Sequence, residues 1–213
     1  MAKLKFWYMP GSCSLAPHIL LRELGLDVET IHVTDLSPSG LGAINPKRRV
    51  PVLSIDGEII TEVPAILTAL AQLGSPDRKL LGKTPIETAR VYEWMNWLSG
   101  QLHGIGYGGL WRPERYSDDS NALESIKVKG KLNIIAAYEF VESRIEGLHA
   151  VGDSFTVVDL YLLVFYRWGM AIELEMEKDF PKYTALIANL VKRDAVVKTL
   201  EEVKLPPLFA PKV

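Results

Sequence analysis

The sequence predicts an α/β unit followed by an all-α unit. Three observations carry this. Between residues 4 and 60, short alternating runs surround one helical pattern, giving the order β-α-β-(loop)-β-β, and a second helix follows to Leu73. A polar stretch from Gly74 to Pro85 then breaks the pattern. Beyond it the apolar spacing is helical throughout and no strand stands out. The division expected is residues 1–76, a linker 77–84 and a helical domain 85–213.

Leu4-Lys5-Phe6-Trp7-Tyr8 alternates, with Leu4, Phe6 and Tyr8 on one face. Pro10-Gly11 ends this strand, and helical spacing at Leu15, Ile19, Leu20 and Leu24 begins at once, with Gly25 as its stop. Val28 to Val33 reads as a second strand, and the spacing implies a right-handed parallel crossover. Asp35 to Ile44 is loop with at most a short helix, and Asn45-Pro46-Lys47-Arg48-Arg49 reads as basic and exposed. Val50 to Ile55 is a third strand, Asp56-Gly57 a tight turn, and Glu58-Ile59-Ile60 its antiparallel return. On base rates alone the Val50–Pro51 bond is trans.

In the second half, Ile86 to Gly106 reads as a long helix with Val91, Met95, Leu98, Leu102 and Ile105 inward. The glycines at 104, 106, 108 and 109 predict a kink or a frayed end. Asn121 to Glu146 is another helix. Thr156-Val157-Val158-Asp159 resembles a capping box and opens a helix apolar nearly all round, hence buried. Pro181 to Lys192 and Asp194 to Val203 are shorter helices, and Leu205 to Phe209 an extended tail.

Composition narrows the function classes. Of 213 residues 48% are hydrophobic and 23% charged, enough apolar material for a sizeable core. A net charge of −2 without a long basic block gives no footprint for nucleic acid. One cysteine excludes an internal disulfide and suits a reducing compartment. No apolar run is long enough to span a membrane, and the start lacks the apolar core of a secretory signal, so a cytoplasmic protein is expected.

Cys13 is the first chemical candidate. It sits where a strand hands over to a helix N-terminus, where free N–H groups and the dipole favour a thiolate, its own or a ligand's. The other reading is a small buried hydrophobe. Asn96 and His103, seven apart, share a helical stripe with Ser99 that could face Cys13 across a cleft, and a solvated stripe explains them as well. Glu62 opens a helix, as a dipole-favoured acid or as part of an amine site. Lys47, Arg48 and Arg49 suit a carboxylate or a solvated loop. Tyr8, Trp7, Tyr107, Trp111 and Tyr116 could line an apolar pocket or simply pack. His18, His32 and His149 have no metal-ligand spacing with one another or with Cys13, so no metal is expected.

Pro-Gly-Ser-Cys-Ser-Leu-Ala-Pro-His at 10–18, Asn-Pro-Lys-Arg-Arg-Val-Pro at 45–51 and Thr-Glu-Val-Pro-Ala-Ile at 61–66 are modest signals alone. Glu-Trp-Met-Asn-Trp-Leu at 93–98, Gln-Leu-His at 101–103 and Phe-Thr-Val-Val-Asp at 155–159 complete the set. In this order the chain resembles the cytosolic glutathione transferases over nearly its full length, most closely the bacterial beta class and related fungal enzymes. The resemblance implies a thioredoxin-like domain followed by an all-helical domain, glutathione as co-substrate, and a homodimer. It places Cys13 beside the glutathione sulfur; His103, and Ser14 among the residues whose N–H groups would face the sulfur, are further catalytic candidates. It implies that Val50, before a cis Pro51, pairs its backbone with the tripeptide. It also implies that Glu62 and Val63 hold the γ-glutamyl end and that Asn96 and His103 contribute; Arg49, from the basic stretch 47–49, is a further candidate for binding the tripeptide. Tyr8, Tyr107 and Trp111 would hold an apolar electrophilic substrate. The chain departs from the family at Val63, where Ser or Gly is usual, at Gly104, where a lysine is usual, and in the loop 35–44, which has no lysine. Three functions follow: conjugation or isomerisation by activated glutathione, thiol–disulfide exchange through Cys13, or a transferase-like fold that only binds.

Overall fold

The computed structural model describes residues 2–209. Strands β1 (Leu4–Tyr8), β2 (Val28–His32), β3 (Val52–Ile55) and β4 (Glu58–Thr61) form one sheet in the order β2-β1-β3-β4. Phe6 pairs with Thr30 in parallel and with Leu53 antiparallel, so β1 is central. Asp56 and Gly57 both take positive φ, 53° and 96°, the turn that an antiparallel return over two residues requires. Helices α1 (Leu15–Glu23) and α2 (Val63–Leu73) cover one face, burying Phe6, Ile19, Leu20, Leu53 and Ile66. The other face carries a small second core of Trp7, Val33, Leu41 and Val52 under the loop 34–49. Arg22 O accepts from Gly25 N–H at 3.0 Å, and Gly25 has φ +62°, so it stops α1 as its sequence position predicts.

The Val50–Pro51 bond is cis, against the base-rate expectation and in line with the resemblance. Asn45 is buried rather than exposed. Its amide donates to Arg49 O at 2.8 Å and accepts from Lys47 N–H at 3.2 Å, which fixes the loop carrying Arg48 and Arg49.

The helical part holds α3 (Pro85–Trp97), α4 (Gly108–Trp111), α5 (Leu123–Arg144) and α6 (Val157–Ala171), then α7 (Met176–Asp179), α8 (Pro181–Leu190) and α9 (Asp194–Glu202). Between α3 and α4 the chain does not fray. Leu98–Tyr107 continues as π-helix, with i→i+5 bonding and a wider turn. The glycines serve close approach here: a Cβ on Gly130 of α5 would lie 2.6 Å from Leu110 N, and one on Gly106 would lie 2.9 Å from Ile134. Because a π-turn rotates less per residue, α-helical spacing fails across it. Leu98 and Leu102 are buried as expected, but Ile105 is 45% exposed.

Helix α6 is buried almost all round. Its first turn is held by Asp159, whose carboxylate accepts from Thr156 N–H at 2.9 Å and Ala150 N–H at 2.8 Å. The linker is pinned to it, since Val157 N–H donates to Leu80 O at 3.0 Å. Glu23 at the end of α1 joins Arg78 and Arg193, tying the sheet unit to the helices. Among the described residues no helix is long and apolar enough to cross a membrane.

Candidate active site

Three loops of the sheet unit open into one cleft of about 770 Å³ facing the helices. Gly11, Ser12 and Cys13 come from the β1–α1 turn, Arg49, Val50 and Pro51 from the loop before β3, and Glu62 and Val63 from the start of α2. The facing wall is built by His103 and Tyr107 of the π-stretch, Trp111 of α4, and Tyr161 and Trp168 of α6. Trp168 reaches across: its indole N–H donates to Gly11 O at 2.8 Å.

Cys13 is 6% exposed, and its S–H is directed at Val50 O, 3.7 Å away. Burial pushes the thiol up to about 12; its own backbone N–H works in the opposite direction, and the Glu62 carboxylate adds to the rise. The helix N-terminus favours a Cys13 thiolate on sequence grounds, and desolvation outweighs it. The turn has also used most of its donors internally. Ser12 N–H goes to Met9 O at 3.2 Å, Ser14 N–H to Ser12 Oγ at 3.2 Å and Leu15 N–H to Ser12 O at 3.1 Å. Ser14, a catalytic candidate in the sequence, is 1% exposed and outside the cleft lining. Its hydroxyl lies 3.2 Å from Met9 N and 2.7 Å from Ser12 Oγ, so it staples the turn.

Glu62 holds φ +73°, uncommon for a residue with a side chain, at the head of α2. That conformation carries its carboxylate into the cleft lining, where it meets the Lys47 ammonium. Val63 supplies the first backbone of α2, and Pro64 after it has no N–H to give.

His103 is wedged edge-on against Phe165 and Trp168, with ring centroids 6.0 and 5.1 Å away, and Nδ1 lies 3.5 Å from Tyr161 Oη. Burial first, then the Arg115 and Arg49 charges, lower its pKa to about 4. The imidazole is therefore neutral near pH 7 and acts as a neutral hydrogen-bonding group. Tyr107 has its ring in the cleft wall while its hydroxyl turns inward to Tyr138 Oη at 2.5 Å. Trp111 packs on Tyr107 and Trp168, at 4.5 and 5.0 Å.

Besides Ser14, the candidates Asn96, Tyr8 and Trp7 lie outside the cleft lining. Asn96 is exposed and outside the cleft lining, because the wider π-turn between it and His103 breaks the shared stripe. Tyr8 stacks on His32 at 5.6 Å and meets His18 at a tilt, 4.6 Å away, and Trp7 lies in the second core. The wall residues that spacing does not reveal are Tyr161, Trp168, Arg112 and Arg115. The available signal is polar tips at 161 and 168 inside an otherwise apolar run, and the Trp-Arg-Pro-Glu-Arg-Tyr segment just past the long helix.

Residues 11–73 match the family model of the glutathione S-transferase N-terminal domain, and residues 114–194 that of the C-terminal domain. The chain is 35% identical over 183 residues to glutathione S-transferase GstA of Escherichia coli O157:H7, covering 82% of this chain and 86% of that protein. It superposes on a glutathione transferase homologue from Sulfitobacter, solved with bound glutathione, with a TM-score of 0.87 at 28% identity, covering 95% and 99% of the two chains. A beta-class enzyme from Sphingomonas chungbukensis gives 0.82 at 28% identity, covering 95% and 100%. With both family models in sequence order and the cleft formed where they meet, the chain belongs to the glutathione S-transferase family.

Proposed function

We propose that this cleft binds glutathione along its sheet-side wall and presents the thiolate to an apolar electrophile held on the helical wall. The observation that carries the reading is the convergence of Cys13, Val50 and Glu62 on one cleft faced by His103, Tyr107 and Trp111. Glutathione offers matching groups. Its ammonium suits the Glu62 carboxylate, its adjacent carboxylate the Val63 N–H at the start of α2, and its peptide the Val50 backbone. Arg49 suits the other carboxylate. The sulfur then falls beside Cys13, where the Cys13 N–H and the α1 dipole favour a thiolate and the neutral S–H can donate to it.

Activation and positioning of that thiolate are what the enzyme supplies. Displacement forms a C–S bond and expels the leaving group. With an activated double bond, addition, rotation about the resulting single bond and elimination return the thiolate and leave an isomer. The high pKa of Cys13 argues against its acting as the attacking thiolate in disulfide exchange. A cytoplasmic homodimer accompanies this reading. Phe140, 43% exposed against Trp97 at 4.6 Å, offers an apolar face for a second copy, which sedimentation at several concentrations tests.

The deciding experiment measures retention on a glutathione resin together with turnover of glutathione with 1-chloro-2,4-dinitrobenzene and with conjugated enones. Retention with turnover of either class is expected. Absence of both retention and turnover overturns the reading.

A further inference from the structure

Arg48, Arg49, Arg112 and Arg115 all line the cleft, and among the described residues none is ion-paired. Outside it, Arg22, Arg78, Arg90 and Arg193 each sit on a carboxylate, while Arg144 lies over the Phe140 ring and Arg167 donates to Pro206 O. The acid in the cleft lining is Glu62, and Lys47 already engages it. Glu114, between the two helical-side arginines in sequence, does not line the cleft. The cations crowd one another: after burial, Arg49 and Arg112 lower the pKa of Arg115, and Glu114 and Tyr116 offset this only in part. Unpaired guanidinium groups brought together at a concave apolar surface favour an anion, which relieves their repulsion and accepts paired hydrogen bonds.

Glutathione does not account for all of them. It carries two carboxylates, and the sheet-side wall has Arg48, Arg49 and the start of α2 to meet them. Arg112 and Arg115 belong to the other wall. They flank Pro113 and Glu114 in the turn that follows Trp111, and the exposed aromatics Trp111 and Tyr116 line the cleft with them. Arg112 uses one N–H on Trp111 O at 2.9 Å, which leaves the rest of its fork free.

We infer that the electrophile taken by this cleft is an apolar molecule bearing a carboxylate or comparable oxyanion, received by Arg112 and Arg115 while its body packs on Trp111 and Tyr116. The inference rests on the reading of the opposite wall as the glutathione site.

The test compares 4-chloro-3-nitrobenzoate with its methyl ester at low ionic strength, using the full chain. In both, the glutathione sulfur replaces chloride on the ring, chloride leaves, and the thiol proton passes to buffer. Each kcat/KM is divided by the rate of the same reaction in buffer, which removes the intrinsic difference between acid and ester. The acid is expected to be preferred by about tenfold, equivalent to about 1.4 kcal/mol. Salt near 0.5 M is expected to erode the preference by screening. The R112M/R115M double variant is expected to bring the ratio to within about twofold of unity. A wild-type ratio near one, or a preference that survives in the double variant, overturns the inference and leaves the transferase reading standing. A glutathione KM that rises in step with the lost preference overturns it too, since the arginines then serve the tripeptide. No turnover of either probe by a chain that turns over 1-chloro-2,4-dinitrobenzene or an enone overturns the inference alone. No turnover of any of these, together with no retention on the glutathione resin, overturns the reading the inference rests on.

Discussion

The Cys13 thiol points at the carbonyl oxygen of Val50, 3.7 Å away, so two residues 37 positions apart meet on the floor of the cleft. The S–H is a donor in this arrangement, and burial keeps it protonated with a pKa of about 12. At pH 7.5 its thiolate fraction is on the order of a thousandfold below that of a free cysteine. Alkylation of Cys13 by iodoacetamide, followed by mass spectrometry, is therefore expected to be slow at pH 7.5 and to keep accelerating beyond pH 10. Cys13→Ala is expected to keep conjugating activity within about tenfold of wild type, the range for losing one hydrogen bond to a charged group. A rate plateau above pH 8.5 would return the thiol to the ordinary range, and complete loss of conjugation in the variant would make Cys13 essential rather than a supporting donor.

Glu62 and Lys47 form a pair whose side chains are 62% and 48% exposed, so the pair adds at most about 1 kcal/mol to stability. Glu62→Gln is expected to unfold near the wild-type temperature. Its effect falls on the ligand: the glutathione KM rises at least about tenfold, since a hydrogen bond to a charged group is lost. Glutathione lacking the amino group provides the control, because its binding should hardly distinguish the variant from wild type. Steady-state kinetics with both tripeptides checks this, and an equal penalty for both would place the ammonium elsewhere.

Much of this site is legible in the sequence, and the parts that are not share a cause. Strand alternation at Leu4–Tyr8, the Asp56-Gly57 turn and the proline after Val63 are local signals, and they bring Cys13, Val50 and Glu62 to one edge. The helical wall depends on rotation per residue, and the π-stretch over Leu98–Tyr107 changes it. That change turns Asn96 and Ile105 away while keeping His103 and Tyr107 in the wall. Tyr161 and Trp168 are hidden because α6 is buried on nearly every side, which leaves no polar stripe to mark the functional one. The ionisation states of Cys13 and His103 are set by desolvation, a property of everything packed around them rather than of their neighbours in sequence.

His103 links the site to acid stability. Its folded pKa, about 4, lies below the value of about 6.5 expected in the unfolded chain. Between these values the unfolded state binds the proton and the folded state does not. The stabilising contribution is therefore present above pH 6.5 and lost as pH falls toward 4, by up to about 3 kcal/mol. His103→Asn removes that dependence. Between pH 7 and pH 4.5 the urea midpoint is expected to fall further in wild type than in the variant. The pH profile of kcat/KM for wild type is expected to show no inflection from His103 near 6.5, and a His103 ring resonance titrating there would contradict both.

Tyr107 and Tyr138 place their hydroxyls 2.5 Å apart in the core behind the cleft, and Tyr138 Oη donates onward to Phe165 O at 2.6 Å. The chain of bonds has a direction, so its two ends are not equivalent. Tyr107→Phe removes the first donor and leaves Tyr138 still bonded, at a cost of about 1 kcal/mol. Tyr138→Phe strands the Tyr107 hydroxyl among buried aromatic and aliphatic groups, which carries the full desolvation penalty of about 1–3 kcal/mol. The double variant to Phe at both positions removes the stranded group as well, so it is expected to be at least as stable as Tyr138→Phe alone. Urea unfolding of the three variants gives the order, and a Tyr107→Phe loss larger than that of Tyr138→Phe would mean that the Tyr107 hydroxyl is held by a partner other than Tyr138.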